Sequence, residues 1–176
     1  TTGFGDVIAL NATTGEEIWR EYVRGPMRSA PTVRSGRVFA ITIDNRLVAL
    51  NADTGETLWT HAGIGESANI LGGGSPAVEG SVVIAPYSSG ELVALDLESG
   101  NVLWSDSLTA IRRTDAVSTL SHIRGNPVID RGRVIAVSHG GVMASIDLAT
   151  GQRIWDRELG GMGTPWVAGE YIYILT

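Results

Sequence analysis

Short apolar runs separated by polar, glycine-rich turns make up this chain. Runs such as VIAL (7–10), LVAL (47–50) and LVAL (92–95) are each followed by Asn or Asp, Thr or Ser, and Gly. No apolar stretch approaches the roughly 20 residues that a membrane helix needs. Short apolar runs bounded by Gly, Asn, Asp and Ser are typical of β-strands joined by tight turns. The pattern therefore predicts an all-β chain.

The turns belong to an internal repeat. Four segments align without gaps: VIALNATTGEEIW (7–19), LVALNADTGETLW (47–59), LVALDLESGNVLW (92–104) and MASIDLATGQRIW (143–155). A second shared block opens with proline, at 31–40, 76–85, 127–136 and 165–174. The proline that opens a block and the Trp that ends the same unit are 28 residues apart in each of three copies. The distance from a repeat Trp to the next block-opening proline varies from 10 to 23 residues. A unit of fixed length thus alternates with a connection of free length.

Each unit predicts four short strands. Proline opens the first strand, where a missing N–H is tolerated, and a glycine turn leads to the second. A tight turn precedes the third strand, and the Asx-x-x-Thr/Ser-Gly turn precedes the fourth, which carries the Trp. A repeated four-stranded antiparallel unit predicts a β-propeller. We expect 1–176 to be a single propeller segment with blades at 31–61, 76–106 and 127–157 and partial blades at 1–20 and 165–176.

Composition removes several kinds of chemistry from this segment. The 176 residues contain 23 Gly and no Cys, and all 13 basic residues are Arg. Disulfides, Cys-ligated metals, Schiff-base lysines and Walker-type phosphate lysines are therefore excluded here. A net charge of −6 argues against a nucleic-acid-binding protein, because phosphate binding needs a basic surface. We expect no catalytic residue, no cofactor and no metal in this segment.

The recurring residues are predicted to be structural. Tryptophans at one repeat position predict packing between blades rather than a cofactor cage, and the turn glycines supply a positive φ: Trp19, Trp59, Trp104, Trp155, Gly15, Gly55, Gly100 and Gly151. The turn residues Asn11, Asn51, Asp96 and Asp147 are interpreted as turn acceptors rather than calcium ligands. Trp166 is out of register and is expected to line the channel or pack inside a blade. His61 and His139 are interpreted as surface or turn residues.

The two long connections, 60–75 and 105–126, are the candidate functional segments. Connections of this length in compact repeats are often functional. The second connection interleaves Arg112, Arg113 and Arg124 with apolar residues such as Leu108 and Ile123, a composition that protein interfaces favour. The alternative is that 105–126 folds as a short helix or an extra strand on its own blade.

The pattern Ala-x-Asp-x-x-Thr-Gly-x-x-x-Trp resembles the tryptophan-docking motif of pyrroloquinoline-quinone-type (PQQ-like) β-propellers. This chain departs from it at Asn11, Asn51, Ser99 and Ser145. Two groups share the motif: quinoprotein dehydrogenases and the outer-membrane-protein assembly lipoproteins of the BamB family. The stretches 41–61, 72–104 and 163–175 resemble the BamB family, particularly its alphaproteobacterial members.

This resemblance implies a non-enzymatic scaffold of the outer-membrane β-barrel assembly machinery. Its partner would be a polypeptide-transport-associated (POTRA) domain of the barrel insertase, with unfolded outer-membrane proteins as a second class. The protein would be periplasmic and outer-membrane-associated, with signal peptide and lipid anchor outside this segment. Carrying the family's docking connections over to this chain indicates contacts at Ile70, Leu71, His122 and Arg124. The composition of the second connection adds Arg112 and Arg113 as candidate contacts. Family members often have acidic residues where His122 and Arg124 stand.

The class of protein and the number of blades in the complete ring stay open at this point. The chain could instead belong to a quinoprotein dehydrogenase that binds PQQ and calcium, or to a periplasmic sensor or binding propeller. The resembled family closes with about eight blades, so we expect about four blades of a larger ring. The two partial blades could also pair and close a four-bladed ring.

Overall fold

A computed structural model describes residues 1–65, 73–109 and 122–175 of the chain. These residues form strands, turns and irregular segments, with no helix among them. The strands are β1 (Asp6–Leu10), β2 (Glu17–Tyr22), β3 (Thr32–Arg34), β4 (Arg37–Ile41), β5 (Arg46–Asn51), β6 (Thr57–Ala62), β7 (Ala77–Glu79), β8 (Val82–Pro86), β9 (Glu91–Asp96), β10 (Val102–Ser107), β11 (Val128–Asp130), β12 (Arg133–Val137), β13 (Val142–Asp147), β14 (Arg153–Glu158), β15 (Trp166–Ala168) and β16 (Tyr171–Tyr173).

The strands form antiparallel sheets in sequence order. Strands β3–β6, β7–β10 and β11–β14 make three four-stranded sheets, and β1–β2 and β15–β16 make two-stranded sheets. Each four-stranded sheet pairs consecutive strands only, as expected for strands joined by short turns. The predicted propeller architecture of four-stranded antiparallel blades is confirmed.

The core lies between successive sheets. The middle strands β4, β5, β8, β9, β12 and β13 are buried along nearly their whole length, because each sheet packs against a neighbour on both faces. One cluster joins Phe39 and Leu47 of one sheet to Val83 and Leu95 of the next. The outer strands β6 and β14 are mostly exposed, with single half-buried residues between exposed ones. No helix long and apolar enough to cross a membrane occurs in the described part of the chain.

Tryptophan docking fixes neighbouring sheets against each other. The indole Nε1 donates to a carbonyl oxygen in the last turn of the next sheet, from Trp19 to Ala52 at 2.9 Å, from Trp59 to Leu97 at 3.1 Å and from Trp104 to Leu148 at 2.8 Å. The small residue of the motif lies directly across from the Trp, as Ala49 does from Trp59. A larger residue at that position would crowd the indole. Trp166, in contrast, opens β15 and is 71% exposed, so it does not pack inside a sheet.

The repeated turn is held by its own side chain. The Asp147 Oδ1 accepts hydrogen bonds from the N–H groups of Ala149 and Thr150 and from the Thr150 hydroxyl, and these bonds lower the pKa of Asp147. Asn51 accepts in the same way from Asp53 and Thr54. These side-chain oxygens are therefore engaged within the turn. No group of three or more His, Cys, Asp or Glu side chains suited to a metal occurs among the described residues.

Candidate partner-binding face

Because consecutive strands are antiparallel, successive loops lie alternately on the two opposite faces of the propeller. The turns β4–β5, β8–β9 and β12–β13 share one face with the connections that follow β2, β6, β10 and β14; we name this the connection face. Backbone hydrogen bonds tie the two sets together, from Gly63 N to Asn45 O and from His139 N to His122 O, both at 2.8 Å. The two candidate contact residues that the structure describes, His122 and Arg124, therefore belong to this face.

A buried asparagine joins two sheets at this face. Asn45 is 2% exposed and has a φ of 59°, a left-handed conformation that Asn tolerates better than most residues. Its Oδ1 accepts from the N–H and the hydroxyl of Ser88, each at 2.9 Å, and its Nδ2 donates to Ile64 O at 2.6 Å. One side chain thus fixes its own turn, the next sheet's turn and the connection between them.

The residues before the strand-opening prolines form a polar ladder across three sheets. Asn126 Oδ1 accepts from Ser75 N at 2.7 Å, and Asn126 N donates to Thr164 Oγ1 at 3.0 Å. The backbones approach closely here, since a Cβ on Gly74 would lie 2.8 Å from the Gly125 carbonyl oxygen. The ends of the connections are therefore held rigidly against each other.

A cleft of about 170 Å³ opens on the connection face. Its apolar wall includes Ile41, Pro86 and Ile123, which come from the ends of β4 and β8 and from the connection after β10. Arg28 and Arg124 also line it, and none of its described lining residues is acidic. The cleft lies where two blades and three connections meet, and its lining includes the predicted contact residues His122 and Arg124.

The structure brings two of the predicted contact residues to this cleft. His122 is buried, at 3% exposure, so its side chain offers little surface to a partner. Arg124 is half-buried, with Nη1 3.3 Å from Met162 Sδ. Ile70, Leu71, Arg112 and Arg113 lie outside the described residues. Leu108 and Ile123, which were expected to face a partner, are packed into the core between two sheets, and Ile123 contributes only a buried part of the cleft wall.

An aromatic pair between two sheets escaped the sequence interpretation. His61 is not a free surface residue: its ring stacks on Tyr87 at a centroid distance of 5.9 Å, and its Nδ1 lies 2.7 Å from Tyr87 Oη. Burial lowers the pKa of His61, and the Glu91 carboxylate partly opposes this shift. Burial also raises the pKa of Tyr87, which is fully buried. In the sequence, the position of His61 two residues after the docking Trp59 was the only feature that could have indicated this contact.

Sequential four-stranded sheets, docked by tryptophan onto a glycine turn, define this chain as a PQQ-type β-propeller. A family model described as "Outer membrane protein assembly factor BamB" matches residues 1–176. The chain therefore belongs to the BamB family.

Individual relatives agree with this assignment. The outer membrane protein assembly factor BamB of Yersinia pestis is 30% identical over 96% of this chain and 43% of its own length. The crystal structure of BamB from Moraxella catarrhalis superimposes with a TM-score of 0.85 at 24% identity, covering 93% of this chain and 50% of that one. A europium-containing methanol dehydrogenase shares the fold, with a TM-score of 0.71 at 16% identity over 87% of this chain and 38% of that one. The chain spans less than half the length of the Yersinia relative.

Proposed function

We propose that this chain is part of a non-enzymatic scaffold for outer-membrane β-barrel assembly and binds the POTRA region of the barrel insertase through its connection face. Membership of a family described as outer membrane protein assembly factors supports a role in outer-membrane protein assembly. The proposal includes a periplasmic location at the outer membrane and unfolded outer-membrane proteins as further partners.

One observation carries the choice of surface. The connection face presents a cleft in which the Arg124 side chain lies beside the apolar residues Ile41, Pro86 and Ile123. Arginine next to buried apolar side chains is enriched at the energetic centres of protein interfaces. The connections that lead to this cleft also contain Ile70, Leu71, Arg112 and Arg113, which extend the proposed contact.

Binding to the POTRA region tests this proposal directly. We would immobilise the POTRA region of the insertase from the same bacterium and measure binding of the chain by biolayer interferometry. Replacing Ile70 and Leu71 with Asp should weaken binding at least about tenfold, since interface centres depend on a few apolar contacts. Arg34→Glu is the control, because Arg34 is exposed at the end of β3 on the opposite face.

The experiment distinguishes a wrong partner from a wrong binding surface. No binding by the unmodified chain would overturn the proposed partner. Undiminished binding by the Ile70→Asp, Leu71→Asp variant, with its fold intact by circular dichroism, would overturn the assignment of the connection at 60–75.

A quinoprotein dehydrogenase is the competing function, because dehydrogenases share this fold. The described residues do not fit its cofactors: they contain no cluster of three metal-ligating side chains, and the cleft is smaller than the about 300–1,000 Å³ of small-molecule sites. Titration with PQQ and calcium should therefore give no bound quinone absorbance. A saturable quinone signal with alcohol oxidation would overturn the scaffold proposal.

A further inference from the structure

The cleft on the connection face has the size of a site for one side chain. Its volume is about 170 Å³, and a cavity of about 150 Å³ in a protein core accepts a benzene-sized group. Ile41 and Ile123 are buried and Pro86 is buried beside them, so the wall is rigid and apolar. A single aliphatic or aromatic side chain fits such a site.

The edge of the cleft is positively charged in an otherwise acidic chain. The net charge of the chain is −6, yet the described lining residues include Arg28 and Arg124 and no Asp or Glu. Four arginines elsewhere in the described residues pair with carboxylates, Arg20, Arg37, Arg131 and Arg153. Within 1–65, 73–109 and 122–175, no ion pair joins Arg28 or Arg124 to a carboxylate.

The chemistry of the arginine side chains indicates which ligand would complement the cleft. Asn45 and Ser88 are engaged with each other, so they are occupied by the fold. A guanidinium has five N–H donors and no acceptor, and it binds carboxylates in a bidentate manner. The complementary ligand therefore carries an acidic group beside an apolar one. The negative net charge of the chain disfavours anionic membranes and nucleic acids, which present charge over a wide surface.

We propose that this cleft binds an extended acidic segment of a partner protein, which inserts one apolar side chain between Ile41, Pro86 and Ile123 and pairs flanking carboxylates with Arg28 and Arg124. The inference rests on the proposed function in taking the partner to be the POTRA region. It adds the chemistry of the partner's contacting segment, acidic with an apolar anchor.

Matched peptides test the charge preference without assuming the partner. Two fluorescein-labelled dodecapeptides would contain the same leucines, with Asp and Glu in one and Lys and Arg in the other. Fluorescence polarisation should show the acidic peptide binding at least about tenfold more tightly, because charge complementarity discriminates strongly between partners. Raising the salt concentration from about 0.05 M to about 0.5 M should weaken this binding, because the rim charges are exposed to solvent.

Charge-reversal variants test the site. Arg28→Glu and Arg124→Glu should each weaken binding of the acidic peptide about tenfold, while Arg124→Lys retains part of it. Arg28 is exposed, so Arg28→Glu remains informative if Arg124→Glu alters the fold. Arg34→Glu makes the same charge change on the opposite face and should leave binding unchanged.

The outcomes separate this inference from the proposed function. Arginine-dependent binding of the acidic peptide without binding of the POTRA region would support the cleft assignment and overturn the proposed partner. Binding of the POTRA region that is unchanged in Arg28→Glu and Arg124→Glu would overturn the cleft assignment alone. Equal binding of the two peptides, or retention by phosphatidylglycerol vesicles without binding of the acidic peptide, would also overturn it.

Discussion

At the residue scale, the contact between a tryptophan and a glycine of the next sheet is the recurring unit of this fold. Gly55, Gly100 and Gly151 all have positive φ angles between 71° and 77°. A Cβ at each would lie 2.6–2.7 Å from an indole atom of Trp19, Trp59 or Trp104, respectively. Two separate constraints therefore require glycine: the left-handed backbone and the indole surface.

A pair of Gly→Ala variants separates these constraints. Gly100 and Gly132 have φ angles of 71° and 72°, but only Gly100 faces an indole; a Cβ on Gly132 would meet nothing within 4 Å. We expect Gly132→Ala to reduce the free energy of unfolding by about 1–2 kcal/mol through backbone strain. Gly100→Ala should cost about 1–3 kcal/mol more, because its Cβ overpacks Trp59. Urea unfolding measures both, and equal losses would contradict an indole constraint on Gly100.

At the element scale, polar contacts join neighbouring sheets at the connection face. The His61 ring on β6 stacks on Tyr87, which follows β8, while Glu91 at the start of β9 accepts from Ile64 N at 3.0 Å and from the Ser89 hydroxyl at 3.0 Å. Tyr87 has no exposed surface, so the histidine side of the pair is the part that water reaches. Protonation of His61 is therefore expected to act on the contact between these two sheets.

The pH dependence of stability tests this contact. Burial lowers the pKa of His61 in the folded protein, so the unfolded chain takes up a proton first as the pH falls. Stability is fully present above the unfolded pKa of about 6.5 and is lost as the pH falls towards the lower folded pKa. Urea unfolding at about pH 7.5 and about pH 5.5 should show a smaller loss in His61→Gln than in the unmodified chain. His122 and His139 occur in both proteins, so the same loss in both would exclude His61 as the source.

At the scale of the whole molecule, the sequence is informative wherever the same local chemistry recurs. The fixed spacing from proline to Trp indicated the four-stranded sheets, because each turn and strand is specified within one unit. Contacts such as those of Asn45 with Ser88 and His61 with Tyr87 were missed, because they depend on which residues of different units meet. The ladder from Ser75 through Asn126 to Thr164 left a readable signal, a polar residue before three of the prolines.

In the described part of the chain, successive sheets contact each other in sequence order. The inner strands meet in the order β3–β7, β7–β11 and β11–β15, and the indoles of Trp59 and Trp104 donate to the next sheet. Stability in such arrays is approximately the sum of the individual units and the interfaces between them. Two sheets are docked on both sides: β3–β6 by Trp19 against Gly55 and by Trp59 against Gly100, and β7–β10 by Trp59 against Gly100 and by Trp104 against Gly151.

Hydrogen exchange should therefore vary along the chain. We expect the slowest amide exchange in β4, β5, β8 and β9, which are buried and belong to the doubly docked sheets. Exchange should be faster in β15 and β16, where Trp166, Tyr171 and Tyr173 are each at least 60% exposed. Trp59→Ala should cost about 3–5 kcal/mol and speed exchange first in β3–β6 and β7–β10, the two sheets that share this indole. Peptide-resolved mass spectrometry would follow both effects, with Trp166→Ala as the control because that indole is largely exposed. Uniform exchange, or an equal increase in all sheets after Trp59→Ala, would show instead that the described sheets unfold as one cooperative unit, in which no single interface limits local opening.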